Sequence, residues 1–140
     1  MFKCMVLLAE DFEDTREVYA FYLRREGFTV HDLPDGDSVL SLAQKLQPDV
    51  VVLDLALPGV DGYALAAGLR GHPLTARIPI VVLSAHAYPE DEQRALEAGA
   101  AAFLRKPCLP AELAATLRAV SENCRTAFTS PESGRPAASV

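Results

Sequence analysis

Apolar and polar positions alternate between two periods along this chain. Val6-Leu7-Leu8-Ala9 is a short apolar run that ends in the acids Glu10 and Asp11. Asp14 then offers an N-cap, with Glu17 three residues on as a capping-box partner. Val18, Phe21 and Tyr22 follow at i, i+3 and i+4, which predicts an amphipathic helix over about 14–26, stopped by Gly27. Phe28–Leu33 reads as a second strand. Val39, Leu42, Ala43 and Leu46 mark a helical face that Pro48 ends. Val50-Val51-Val52-Leu53 is a continuous apolar run, mostly β-branched, the pattern of a strand covered on both faces.

Pro58-Gly59 and Asp61-Gly62 mark a loop before a helix over 62–70 carrying Leu65 and Leu69. Ile78–Leu83 is the fourth strand. A weaker helix, Glu90–Ala98, follows Pro89 and ends at Gly99, and Ala101–Arg105 is a short fifth strand. Pro110 suits the first turn of a last helix with Leu113, Leu117 and Val120 on one face, although Leu109 before it is a weak cap. Five strands alternating with five helices predict an α/β fold, a doubly wound parallel sheet with helices on both faces. Residues 122–140 show no apolar period and are expected to form a flexible tail.

Composition narrows the function classes. A net charge of −6 argues against a general nucleic-acid binder. No apolar run approaches the roughly 20 residues of a membrane span, and the early acids do not suit a secretory signal. Cys4, Cys108 and Cys124 are odd in number and share no metal-ligand spacing. They are expected to be small apolar or surface residues in a reducing cytoplasm, without a disulfide scaffold.

In open α/β sheets, ligands bind beyond the carboxyl ends of the strands. The predicted strands end at Glu10-Asp11, Asp54, Ser84 and Arg105-Lys106-Pro107. Three acids held close repel one another unless a cation intervenes, and hard oxygen donors of this kind favour Mg²⁺. A lysine and a hydroxyl beside such a cation can hold phosphoryl oxygens. A carboxylate can itself attack phosphorus and form an acyl phosphate. The strand ends therefore predict a Mg²⁺-assisted phosphoryl site with a carboxylate acceptor.

Over about residues 3–121 the chain resembles the receiver domain of bacterial two-component response regulators, in particular the stand-alone, chemotaxis-regulator-like kind. The matching stretches are Val6–Asp11, Asp54–Gly62, Val82–Ala85, Ala98–Ala100 and Phe103–Pro107. The resemblance implies the flavodoxin-like strand order 2-1-3-4-5, a receiver domain over 1–121 and a tail over 122–140. It implies that Asp54 accepts a phosphoryl group from a histidine kinase or phosphotransfer protein. Asp11, Asp54 and the backbone carbonyl of Ala56 would ligate Mg²⁺, with Glu10 acting through water. Ser84 would bind a phosphoryl oxygen, Lys106 would pair with Asp54 or its phosphoryl group, and the Lys106–Pro107 bond would be cis. Ser84 and Phe103 would form the switch that reshapes the helix 4–strand 5–helix 5 surface for a downstream protein target. Neither direct nucleic-acid contact nor membrane binding is implied, and the role is signalling rather than enzymatic.

Several positions depart from the common receiver pattern. Phe103 replaces the commoner Tyr, and Ala56, two past Asp54, offers no side chain to an attacking water. Ala101 and Ala102 stand where a dimerising subclass carries an acid opposite an arginine such as Arg118. His86 falls near the site mouth, while His31 and His72 fall away from it. A phosphohydrolase would need a second acid at Ala56. A nucleotide or flavin binder would need a glycine-rich turn where Glu10-Asp11-Phe12-Glu13-Asp14 stands. A receiver-like module that works without phosphorylation is the remaining alternative. With no room for an output domain after helix 5, a stand-alone receiver or a piece of a longer protein is expected.

Overall fold

A computed structural model describes residues 4–85 and 88–127. Among these residues five strands are present: β1 (Met5–Ala9), β2 (Thr29–Leu33), β3 (Val50–Asp54), β4 (Ile80–Ser84) and β5 (Ala102–Arg105). They form one sheet in the order β2-β1-β3-β4-β5, and every neighbouring pair is parallel. The helices between them are α1 (Glu13–Arg25), α2 (Val39–Leu46), α3 (Gly62–Gly71), α4 (Pro89–Glu97) and α5 (Pro110–Val120). This is the doubly wound, flavodoxin-like architecture.

The period of two along each strand divides the core. Val6, Leu8, Val50, Val52, Val81 and Leu83 face α1 and α5. Leu7, Val51, Leu53, Ile80 and Val82 face the opposite side, where α2, α3 and α4 pack. All residues of β3 and β4 are buried, as continuous apolar runs require when both faces are covered. The turn after β3 is shaped by a close approach. A Cβ on Gly62 would stand 3.0 Å from the Cα of Leu55, so only glycine lets α3 begin there. Asp61 caps that helix, its carboxylate accepting from the Tyr63 N–H at 3.0 Å.

The first helix differs from its expected form. It is capped at Phe12 without a side-chain bond, not at Asp14. Its buried stripe is Tyr19, Ala20 and Leu23, whereas Val18 and Phe21 are exposed. Apolar residues lie around most of this helix, and packing against β1 and α5 selects one stripe that spacing alone does not identify.

The chain also continues past its expected end of order. Glu122–Ala127 forms a sixth, short helix, α6, where no periodic structure was expected. Cys4 and Cys124 are joined in a disulfide, which corrects the expectation of three unpaired cysteines; Cys108 is free and buried. The six-residue helix is too short to show an apolar period, and the cysteine pair spans 120 residues of sequence. Beside the disulfide, Asp49 accepts from the Met5 N–H and from the Asn123 amide, each at 2.7 Å. Residues 128–140 of the expected tail lie outside the described residues.

Candidate functional site

The strand topology delivers the acids. β1 and β3 are central neighbours, so the residues leaving them meet above the sheet edge. Glu10 follows β1 and is fully buried; Asp54 closes β3 and is 2 % exposed. Asp11 is exposed at the rim. One carboxylate oxygen from each of Glu10, Asp11 and Asp54 lies within 4.8 Å of the others.

Local hydrogen bonds aim these groups. The Phe12 N–H donates to Glu10 Oε2 at 3.1 Å, and the Arg16 guanidinium holds the Glu10 carbonyl at 3.0 Å. The Ala56 N–H donates to Asp54 Oδ1 at 2.9 Å, which fixes the carboxylate and leaves Oδ2 for another partner. That partner is Lys106. Its Nζ lies 2.6 Å from Asp54 Oδ2 and 2.8 Å from Glu10 Oε1.

Lys106 reaches the acids from the loop after β5. Its own N–H donates to the Ser84 carbonyl at 2.8 Å, and the Lys106–Pro107 peptide bond is cis. Ser84 closes β4 and is buried beside the same edge. Thus Glu10, Asp54, Ser84 and Lys106 converge from β1, β3, β4 and β5. Beside Lys106 a groove of about 540 Å³ opens between α1 and the β5–α5 connection, with Val18, Tyr19, Ala85, Pro107 and Pro110 among its walls.

The electrostatics follow from burial and pairing. Burial pushes the Glu10 carboxyl above its ordinary range, Lys106 pulls it back, and the neighbouring Asp54 adds to the rise. Burial works to lower the Lys106 ammonium, but its bonds to Asp54 and Glu10 outweigh that and raise it. Lys106 is therefore a fixed cation, and one ammonium faces three clustered acids. The donor set is all oxygen, two of the three acids are buried, and the third stands at the rim; this suits a hard cation such as Mg²⁺ that keeps part of its water.

The other candidate positions are more scattered. Phe103 is partly buried against the core under α4, with the Arg105 guanidinium 5.8 Å from its ring centre. Arg105 also pairs with Glu92 at 2.9 Å. Arg118 pairs with Glu26 at 2.9 Å and lies over the Phe28 ring. His31 is exposed on β2 and His72 lies beyond α3, both away from the acids. His86 lies outside the described residues. The sequence does not single out Tyr19, because a tyrosine among apolar helix residues looks like any other core position. Its hydroxyl donates to the Cys108 carbonyl at 2.8 Å, two residues past Lys106.

Comparison with known proteins places these features. Residues 6–118 match the response regulator receiver domain family. The phosphate regulon transcriptional regulatory protein PhoB of Escherichia coli is 36% identical over 115 residues, 82% of this chain and 50% of PhoB. The chain thus spans about half the length of such curated relatives. The chemotaxis response regulator CheY4 of Vibrio cholerae superposes with a TM-score of 0.79 at 30% identity, covering 84% of this chain and 98% of CheY4. The receiver domain of sensor histidine kinase PA1611 from Pseudomonas aeruginosa, solved with magnesium in its active site cleft, superposes at 0.77 with 32% identity, covering 84% and 96%.

Proposed function

The chain belongs to the response regulator receiver domain family, a family of signalling domains, and on that footing we propose that it is a phosphoacceptor whose acceptor is Asp54. The observation that carries this reading is the Lys106 ammonium bonded at once to Asp54 and Glu10, with Asp11 beside them. A buried carboxylate whose one oxygen is tied down by a backbone N–H presents its other oxygen in a defined direction.

In the proposed transfer, Asp54 Oδ2 attacks the phosphorus of a phosphohistidine on a histidine kinase or phosphotransfer protein. An O–P bond forms, the N–P bond breaks, and the imidazole leaves with the electron pair. Lys106 moves with its charge from carboxylate to phosphoryl oxygen, and the Ser84 hydroxyl donates to a second one. Glu10, Asp11, Asp54 and the Ala56 carbonyl would hold Mg²⁺, which when bound offsets the charge that gathers on the phosphoryl oxygens. Phosphorylation adds roughly −1.5 to −2 charges beside Ser84. Drawing Ser84 inward shifts the loop after β4, and Phe103 then repacks. The α4–β5–α5 surface changes shape, and a downstream protein target reads that change. A cytoplasmic setting goes with this reading.

The test is incubation with Mg²⁺ and acetyl phosphate, followed by phosphate-affinity electrophoresis of wild type and Asp54→Asn. We expect acid-stable, base-labile phosphorylation of wild type and none of the variant. No phosphorylation of wild type overturns the reading and leaves a module that binds its partner unphosphorylated; equal labelling of both overturns Asp54 as the acceptor.

A further inference from the structure

The lysine that pairs with Glu10 and Asp54 stands on an irregular segment, Lys106–Leu109, between β5 and α5. Helix α5 starts without a side-chain cap, and its first turn holds only the end of this segment, the Leu113 N–H donating to the Leu109 carbonyl at 3.1 Å. Apart from the bonds of the Lys106 ammonium itself, two long-range bonds hold its backbone. Upstream, the Lys106 N–H donates to the Ser84 carbonyl at 2.8 Å. Downstream, the Tyr19 hydroxyl donates to the Cys108 carbonyl at 2.8 Å, across 89 residues of sequence. The Tyr19 ring is only 4% exposed and packs in the core between α1 and α5. Burial pushes the phenol up to about 12, so it is a neutral donor at any working pH.

The same helix holds the acid side. Phe12, the cap of α1, donates its N–H to the Glu10 carboxylate, and Arg16 holds the Glu10 carbonyl. Phe12, Arg16 and Tyr19 stand at i, i+4 and i+7, one stripe of α1. One rigid element therefore sets the position of Glu10 and of the segment that carries Lys106.

We propose that Tyr19 is a positioning residue for phosphoryl transfer: by holding the Cys108 carbonyl it fixes where the Lys106 ammonium stands between Glu10 and Asp54. This rests on the phosphoacceptor reading above. The alternative is a core tyrosine whose hydroxyl merely finds a partner.

Tyr19→Phe removes the hydroxyl and keeps the ring. With acetyl phosphate and Mg²⁺, we expect its maximal phosphorylation rate to fall about three- to tenfold, the scale of one buried hydrogen bond, with the half-saturating donor concentration changed less than about twofold. Lys106→Ala supplies the control background. If Tyr19 acts through Lys106, Tyr19→Phe costs nothing further there; a structural tyrosine costs the same factor in both backgrounds. An unchanged rate, or the same factor in both backgrounds, overturns the proposal. The ¹³Cε resonance of Lys106 gives a readout that needs no phosphorylation. It should shift in Tyr19→Phe and hold in Thr116→Ala, a substitution on the outer face of α5. An unmoved Lys106 signal in Tyr19→Phe overturns the proposal even if wild type accepts no phosphoryl group, an outcome that by itself would sink only the phosphoacceptor reading.

Discussion

The two ends of the one sheet are built on opposite terms. At the carboxyl end, Glu10 and Asp54 are buried side by side against a single ammonium, with Asp11 at the rim. At the amino end, a disulfide joins the residue before β1 to α6, and Asp49 is satisfied by a backbone N–H and an amide. One end stores uncompensated like charge that a cation or a phosphoryl group can relieve. At the other end, both oxygens of Asp49 already have partners. A parallel sheet makes this division natural, because the loops leaving its carboxyl edge are free to carry chemistry while the opposite edge needs only closure.

The largest effects should separate the ends outright. Lys106→Ala leaves two buried carboxylates facing each other and removes a donor to the phosphoryl group. We expect a loss of about 100-fold in the rate of phosphorylation by acetyl phosphate, the scale of deleting one preorganised donor. Replacing both Cys4 and Cys124 by serine should leave that rate within about twofold. A large rate change in the serine variant would show that the two ends are coupled through β1.

The same double substitution should instead cost stability. A disulfide closing so long a loop constrains the unfolded chain, and its removal should lower the unfolding free energy by roughly 2–4 kcal/mol. Urea melts of the oxidised protein with and without a dithiol reductant measure this, and non-reducing peptide mapping checks the linkage. Equal melts would mean the amino end is held by packing and the Asp49 hydrogen bonds without help from the disulfide. Asn123→Ala, which frees one oxygen of Asp49 to solvent, should cost less, about 0.5–1.5 kcal/mol.

Legibility in the sequence divides along the same line. The parallel sheet, and the convergence of Glu10, Asp54, Ser84 and Lys106, follow from apolar runs whose ends carry the polar groups; the strand order comes only with the resemblance to receiver domains. A strand announces its own terminus, so residues there can be placed without knowing any distant contact. Cys4–Cys124 and Tyr19–Cys108 are pairings across 120 and 89 residues. Nothing local marks either partner: Cys124 lies in a helix too short for a period, and Tyr19 shares its helix with exposed Val18 and Phe21. The N-cap at Asp14 failed for a related reason. The turn after β1 is drawn in by Glu10, whose carboxylate takes the Phe12 N–H and so starts the helix earlier.

The smallest expected effect concerns pH, and it also belongs to the carboxyl end. Burial raises the Glu10 carboxyl above its unfolded value, so the folded state holds its proton more tightly than the unfolded chain does. A group raised on folding contributes stability in full below its unfolded pKa and loses it as pH climbs through the folded one. In EDTA, wild type should therefore lose stability as pH rises out of the ordinary carboxylate range, with a slope below the one-proton limit of about 1.4 kcal/mol per pH unit. Lys106 is raised from 10.5 and obeys the same rule, so its contribution is lost only in alkali above that value. Glu10→Gln should flatten the acidic segment alone, since it keeps the shape and removes the charge. Mg²⁺ should flatten it in wild type, by favouring the ionised acid in the folded state. Urea melts across pH, in EDTA and in Mg²⁺, check both. A wild-type slope that survives in Glu10→Gln would show that Glu10 does not carry it, and that Lys106 and the Phe12 N–H fully compensate the buried acid after β1.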